Sequence, residues 1–263
     1  MAKSTPLSAA KISLAAFNEV LGRYPACIQA ISQDKGAKSG QKTLAELDEY
    51  RYGEAVAVFG PEKAGTKSIG VDEVKTLVEW KLRHGKFRPT LMKLVSSNDP
   101  DLVQTTVQDA IKQYRDKSDI SGALGTLTKL KGIGPATASL LLAVHDPDHV
   151  IFFADEAFYW LCGDGKKVPL KYNVKEYNSL CQRSRALSQR LGVKAIDIER
   201  VAFVLMRQES GDVAVASATF DPESSVSSVA KVTPPKAKRK TADDDTNEPE
   251  PPVRRSKRTK HSI

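Results

Sequence analysis

The stretch Leu127–Leu142, LTKLKGIGPATASLLL, decides how this chain is read. A helix runs into it and ends at Leu130 or Lys131. Gly132 and Gly134 supply the turn, because glycine reaches backbone angles that other residues avoid. Ile133 between them is apolar and is expected to plug inward beside Leu130. Pro135 opens a second helix, where its missing N–H costs nothing. The first N–H groups of that helix lack partners, and with the positive helix end they make an anion site. Two glycines keep side chains from blocking a phosphate. A clamp of this kind holds a phosphodiester backbone and ignores base identity. The plain alternative is a tight helix–helix turn that binds nothing.

Outward from this hairpin, helical spacing of apolar residues predicts helices over most of the body. They cover Ser8–Leu21, Thr43–Val58, Asp72–Arg83, Thr90–Val95 and Ile120–Leu130. Others cover Pro135–Val144, Asp155–Leu161, Val174–Leu191 and Ala195–Gln208. A further helix starts at Pro100, capped by Asp99, and reaches about Tyr114. Strand signals are few, the clearest being Val150–Phe153. The expected class is therefore all-α, one helical domain over residues 1–210 with its hairpin at 127–144. Residues 211–263 are rich in Ser, Pro and charge, too polar to offset the entropy of ordering, and read as a disordered tail.

The chain carries 40 Lys and Arg against 32 Asp and Glu, a net charge of +8. The tail holds 10 of the cations and 8 of the acids, so the body keeps 30 against 24, or +6. This balance favours an anionic partner. In the tail, Lys236, Lys238, Arg239 and Lys240 form one basic cluster. Arg254, Arg255, Lys257, Arg258 and Lys260 form another. Such clusters predict a nuclear import signal, an import receptor as partner and a nuclear location, the alternative being a solvated charged tail. No run of 18 apolar residues is present, so no membrane span is expected. Met1–Ala10 also lacks the apolar stretch of a secretory signal. Cys27, Cys162 and Cys181 lie far apart, without metal-ligand spacing, and are read as free thiols.

The string L-x-G-I-G-x-x-T-A-x-x-L-L from Leu130 onward resembles the helix-hairpin-helix motif of DNA repair proteins. Beyond it, Val150–Trp160 reads VIFFADEAFYW. Together these segments resemble the helix-hairpin-helix-GPD superfamily of DNA glycosylases, over roughly residues 75–207. The resemblance implies backbone contacts to double-stranded DNA at Lys131, Gly132, Ile133, Gly134, Ala136 and Thr137. It also places Asp155, 19 residues past Ala136, where that family holds its catalytic carboxylate. A fixed anion there would stabilise the oxocarbenium-like state of N-glycosidic cleavage and orient the attacking water. An aspartate opening a helix is otherwise a cap.

Three departures from the family pattern bear on activity. Bifunctional members carry a lysine where this chain has Ala136, so no lyase step can pass through that residue. Three cysteines cannot bind the four-cysteine iron–sulfur cluster of some members. Ala154 and Tyr159-Trp160 replace the residues usual around the aspartate. No cofactor is expected, except that the carbonyls of Leu130, Gly132 and their neighbours could hold a monovalent cation as in the family.

The segment EWKLRHGKFRP, Glu79–Pro89, interleaves cations with aromatics. Together with the hairpin and the FFADE run it is similar to a eukaryotic branch of the superfamily, the Amun-like proteins. Trp80, Lys81, Arg83, Lys86 and Arg88 are candidate cleft or DNA residues, since cations bind phosphates and planar groups stack on bases. For the aromatics Trp80 and Phe87, burial in the core is the preferred alternative. Two functions follow: a monofunctional glycosylase of base-excision repair acting on a flipped base, or an inactive DNA-binding scaffold in chromatin or transcription. An RNA or protein interaction module is a weaker third.

Overall fold

In the computed structural model, which describes residues 7–63 and 67–209, twelve α-helices occur and no strand. They are α1 (Leu14–Gly22), α2 (Tyr24–Lys35), α3 (Leu44–Glu49), α4 (Ala55–Phe59), α5 (Val71–His84) and α6 (Leu91–Ser96). The remainder are α7 (Pro100–Lys117), α8 (Ile120–Leu127), α9 (Pro135–His145), α10 (Asp155–Cys162), α11 (Val174–Leu191) and α12 (Ala195–Glu209). The all-helical class thus stands for the described residues. The tail and its basic clusters lie outside them.

α9 is the centre of the packing. Every residue from Ala136 to His145 is buried, as expected of a helix that is apolar on all sides. α4, α5 and α8 pack on it. α12 is the second hub and carries α1, α2, α10 and α11. The helix ends follow local chemistry. Ser13, Asp99, Asp119 and Asn173 each accept a backbone N–H from the first turn of α1, α7, α8 and α11. Gly192, at φ 70°, ends α11 in the left-handed conformation.

Several boundaries differ from the expectations. α1 begins at Leu14 rather than Ser8, because Ser8–Lys11 closes a separate turn whose Ser8 carbonyl accepts from the N–H groups of Lys11 and Ile12. α8 stops at Leu127, not Leu130, and turns follow. α2 was not expected at all. Its Tyr24, Cys27, Ile28 and Ile31 are buried at a clear helical spacing.

The predicted helix Thr43–Val58 is one helical run with a wider π turn, Tyr50–Glu54, between α3 and α4. That turn sets Arg51 inside the core at 0% exposure. Arg51 pairs there with Glu199 of α12 at 3.5 Å and lies over the rings of Tyr52 and Trp80. The strand signal at Val150–Phe153 marks extended chain without a partner strand. Side chains satisfy its backbone instead. Glu199 accepts the Phe152 N–H at 2.6 Å, Ser139 the Phe153 N–H at 2.9 Å, and Tyr177 donates to the Ile151 carbonyl at 2.9 Å. Three helices therefore fix the segment that delivers Asp155.

Candidate functional site

A cleft of about 650 Å³ opens where α5, the hairpin, the start of α10 and the loop before α11 meet. Asp155 lies in it as the first residue of α10, with its side chain 17% exposed. The N-cap of α10 is Ala154, whose side chain cannot cap, so Asp155 does not serve as the cap. Its carboxylate is instead held by two side chains. Tyr172 donates to Oδ1 at 2.5 Å and Lys86 approaches Oδ2 at 2.8 Å. Tyr172 has φ 55°, a left-handed conformation rare for an aromatic residue. Strain of this kind, about 1–3 kcal/mol, persists only where the surroundings impose it.

Cations dominate the walls. Lys81, Lys86, Arg88, Lys167, Lys171 and Arg207 line the cleft against two carboxylates, Asp155 and Glu156. Arg207 pairs with Glu156 at 3.2 Å and also donates to the His84 carbonyl at 3.1 Å. Burial raises the carboxyl pKa of Glu156 despite that pair. Arg88 lies over the Tyr172 ring, 5.5 Å from its centre. Burial, then the nearby charge of Arg88, lowers the Lys81 amine to about 8. The Lys86 amine moves the other way, because Asp155 accepts its hydrogen bond.

The hairpin forms one rim. Leu130 and Ile133 are each 3% exposed and anchor it inward, as expected. Gly132 has φ 78°, and a Cβ there would stand 3.0 Å from side-chain atoms of both Leu94 and Val95. Glycine is therefore required twice, by angle and by the close approach of α6. Gly134 differs. At φ −90° and ψ 179° it is ordinary extended chain, and a Cβ would meet nothing within 4 Å. Its value lies in leaving that space open, since no special angle is needed.

Within the hairpin, some backbone N–H groups already have acceptors. The Lys131 N–H goes to Asn98 at 2.8 Å, the Ile133 N–H to Leu130 at 3.1 Å and the Thr137 N–H to Gly134 at 2.9 Å. Those three groups are already engaged. Among the described residues, the N–H groups of Gly132, Gly134 and Ala136 take no acceptor. They alternate along the turn and remain available to an anion. The side chains of Ala136 and Thr137 are buried, whereas that of Lys131 is exposed. Of the carbonyls considered for a monovalent cation, that of Leu130 accepts from Ile133, while that of Gly132 has no donor among the described residues.

The segment following Glu79 divides between interior and surface. Trp80 is wholly buried and donates to Asp48 at 2.9 Å, so it is a core residue and not part of the cleft. Arg83 is also removed from the cleft. Its guanidinium donates to the carbonyls of Gly36 and Lys42 and ties the end of α5 to the loop after α2. Lys81, Lys86 and Arg88 are brought together at Asp155. The burial expected for Phe87 does not occur, since it is 73% exposed between Lys86 and Arg88. Gly85 and Pro89 take this piece off the helix, so it has no core to enter.

Sequence reasoning missed Lys167, Lys171, Tyr172, Tyr159 and Arg207. The first three sit in KKVPLKY, Lys166–Tyr172, a cation–aromatic pattern like that of Lys81–Arg88. His84 also lines the cleft. It is stacked between Trp80 and Phe203 at 4.5 and 4.1 Å, and burial holds its pKa well below the usual value. No family model, curated protein or solved structure matches the chain.

Proposed function

We propose that this protein is a DNA-binding protein of the helix-hairpin-helix-GPD type, acting as a monofunctional glycosylase. The observation that carries the reading is the presence in one cationic cleft of Asp155 and three unpaired hairpin N–H groups. The amides and Lys131 hold phosphates of a duplex. Lys86, Arg88, Lys167 and Lys171 add sequence-independent attraction. A cleft of about 650 Å³ has room for a base swung out of the stack. Phe87, exposed between Lys86 and Arg88, can wedge into the gap left behind.

In the reaction Asp155 faces the sugar. As the C–N bond lengthens, its anion stabilises positive charge at C1′. It then orients a water or accepts its proton. Lys86 and Tyr172 hold the carboxylate in place, and their release frees an oxygen for that water. The two basic clusters of the tail serve nuclear import in this reading, and removing Lys236–Lys240 and Arg254–Lys260 would disperse a fluorescent fusion.

The second reading, an inactive scaffold, has one specific observation in its favour. Both oxygens of Asp155 are engaged, by Lys86 and Tyr172. Single-turnover base excision at low salt separates the two. Duplexes carrying alkylated, oxidised, deaminated or mispaired bases are offered to wild type and Asp155→Asn. Excision by the wild type alone supports the enzyme. Binding without excision across the panel supports the scaffold.

A further inference from the structure

A second cavity, of about 600 Å³, is lined by α7, by Lys67 and Ser68 ahead of α5, and by His145 at the end of α9. No described residue lines both it and the Asp155 cleft. Along α7, Gln104, Val107, Gln108, Ile111, Lys112 and Arg115 recur at intervals of three and four, so one helix face forms its wall. Val107 and Ile111 are buried, and the glutamines and cations are exposed. Lys67, Lys112 and Arg115 stand against one acid, Asp116. Lys67 reaches Glu73 at 3.7 Å, whereas Lys112 and Arg115 make no ion pair among the described residues. His145 is 6% exposed. Its Nδ1–H donates to the Phe59 carbonyl at 2.8 Å, which leaves the lone pair on Nε2. Nε2 is buried and has no partner among the described residues. Burial, and further Arg115, lowers the ring's pKa to about 4, so near neutral pH Nε2 can only accept. A buried acceptor without a donor is costly and uncommon.

We propose that this cavity is a second binding site, separate from the Asp155 cleft, and takes a free adenine nucleotide. Its lining asks for three things in one molecule: an anion for Lys112 and Arg115, an apolar body for Val107 and Ile111, and a proton donor for His145. Inorganic phosphate would meet only the first, and an uncharged base only the other two. The base lies along Val107 and Ile111 with its amino group donating to Nε2 of His145. The amides of Gln104 and Gln108 meet the sugar hydroxyls, and Lys112 and Arg115 hold the phosphate. Adenine fits best, because the buried lining offers one acceptor and no side-chain donor. Guanine and cytosine would each bring in a carbonyl oxygen with nothing to donate to it. A cavity of about 600 Å³ is of the size that small ligands occupy. The site stands whether or not the Asp155 cleft acts on DNA.

The test is calorimetric titration of the full chain with adenosine monophosphate, adenosine, inorganic phosphate and purine riboside monophosphate, which lacks the amino group. Adenosine monophosphate should bind one to one, and each of the other three about tenfold more weakly or worse. Lys112→Ala combined with Arg115→Ala changes two exposed positions and should weaken adenosine monophosphate about tenfold while sparing adenosine. His145→Phe, confirmed folded by circular dichroism, should erase the preference for the amino group. Lys86→Ala in the other cleft should leave nucleotide binding unchanged. No binding of adenosine monophosphate below about 1 mM overturns the proposal. So does equal binding of the amino-free analogue by the wild type, or an unchanged affinity in the Lys112 and Arg115 double variant. Loss of binding in Lys86→Ala would put the nucleotide in the Asp155 cleft and overturn it as well.

Discussion

The cleft and the layer behind it are built from the same helices, yet they handle charge in opposite ways. In the cleft six cations face two carboxylates, and four of the six are exposed. Behind it, Arg51 and Glu199 are sealed from solvent, and Asp48 accepts from Tyr24 and Trp80. α5 contributes to both, with Trp80 and His84 turned inward and Lys81 lining the cleft. In the proposed reading, excess charge in the wet region recruits an anionic partner. Balanced charge in the dry region positions backbone, because Glu199 also holds the Phe152 N–H ahead of Asp155. Changes behind the cleft should therefore act on stability, and changes in it on binding.

The largest expected effect is from Glu199→Ala. It strands the Arg51 charge in the core and should cost about 3–5 kcal/mol in urea unfolding. Arg51→Met combined with Glu199→Leu should recover part of that loss. If the single variant costs under 1 kcal/mol, the buried layer is not what fixes the Asp155 segment.

A pH series sharpens the contrast. His145 is 6% exposed and burial lowers its pKa to about 4. The unfolded chain binds this proton first, so stability present above pH 6.5 is lost as pH falls toward 4. The loss should reach about 3 kcal/mol. Burial raises the carboxyls of Asp48, Glu156 and Glu199, which slope the other way. The His145 share is therefore read as the difference between wild type and His145→Asn, unfolded at pH 7.5, 5.5 and 4.5. Equal slopes for the two proteins would refute it.

Asn98→Ala should cost about 1–3 kcal/mol, because the Lys131 amide loses its buried partner. The smallest stability effect is expected in the cleft. Lys86→Ala should stay within about 0.5 kcal/mol of wild type. It should nevertheless weaken duplex binding for all sequences alike and reduce the salt slope by about one. A sequence-selective loss in filter-binding titrations would break the comparison.

The sequence carried much of this arrangement, and its failures have physical causes. The hairpin was legible because Gly-Ile-Gly-Pro leaves the backbone few choices. Asp155 could be picked out only through its distance from that hairpin. Trp80, Arg83 and Phe87 were not resolved, because cations and aromatics in one string say nothing of which residue faces the core. That depends on where Gly85 ends α5. Tyr172 was invisible, since its role comes from a loop returning 17 residues after Asp155. Arg51 needed the π turn, which no periodicity announces.

The Asn98 clasp has a mechanical consequence. This side chain accepts from the Lys131 N–H, donates to the Lys131 carbonyl at 2.9 Å, and donates to Val95 of α6 at 2.9 Å. α6 in turn packs on α5, whose end leads into Lys86 and Arg88. The hairpin amides and the cationic strip are thus two points of one caliper whose gap is set when the chain folds. Under the DNA-binding proposal, a backbone with matching phosphate spacing would meet a surface already ordered, with little ordering entropy left to spend at the moment of contact.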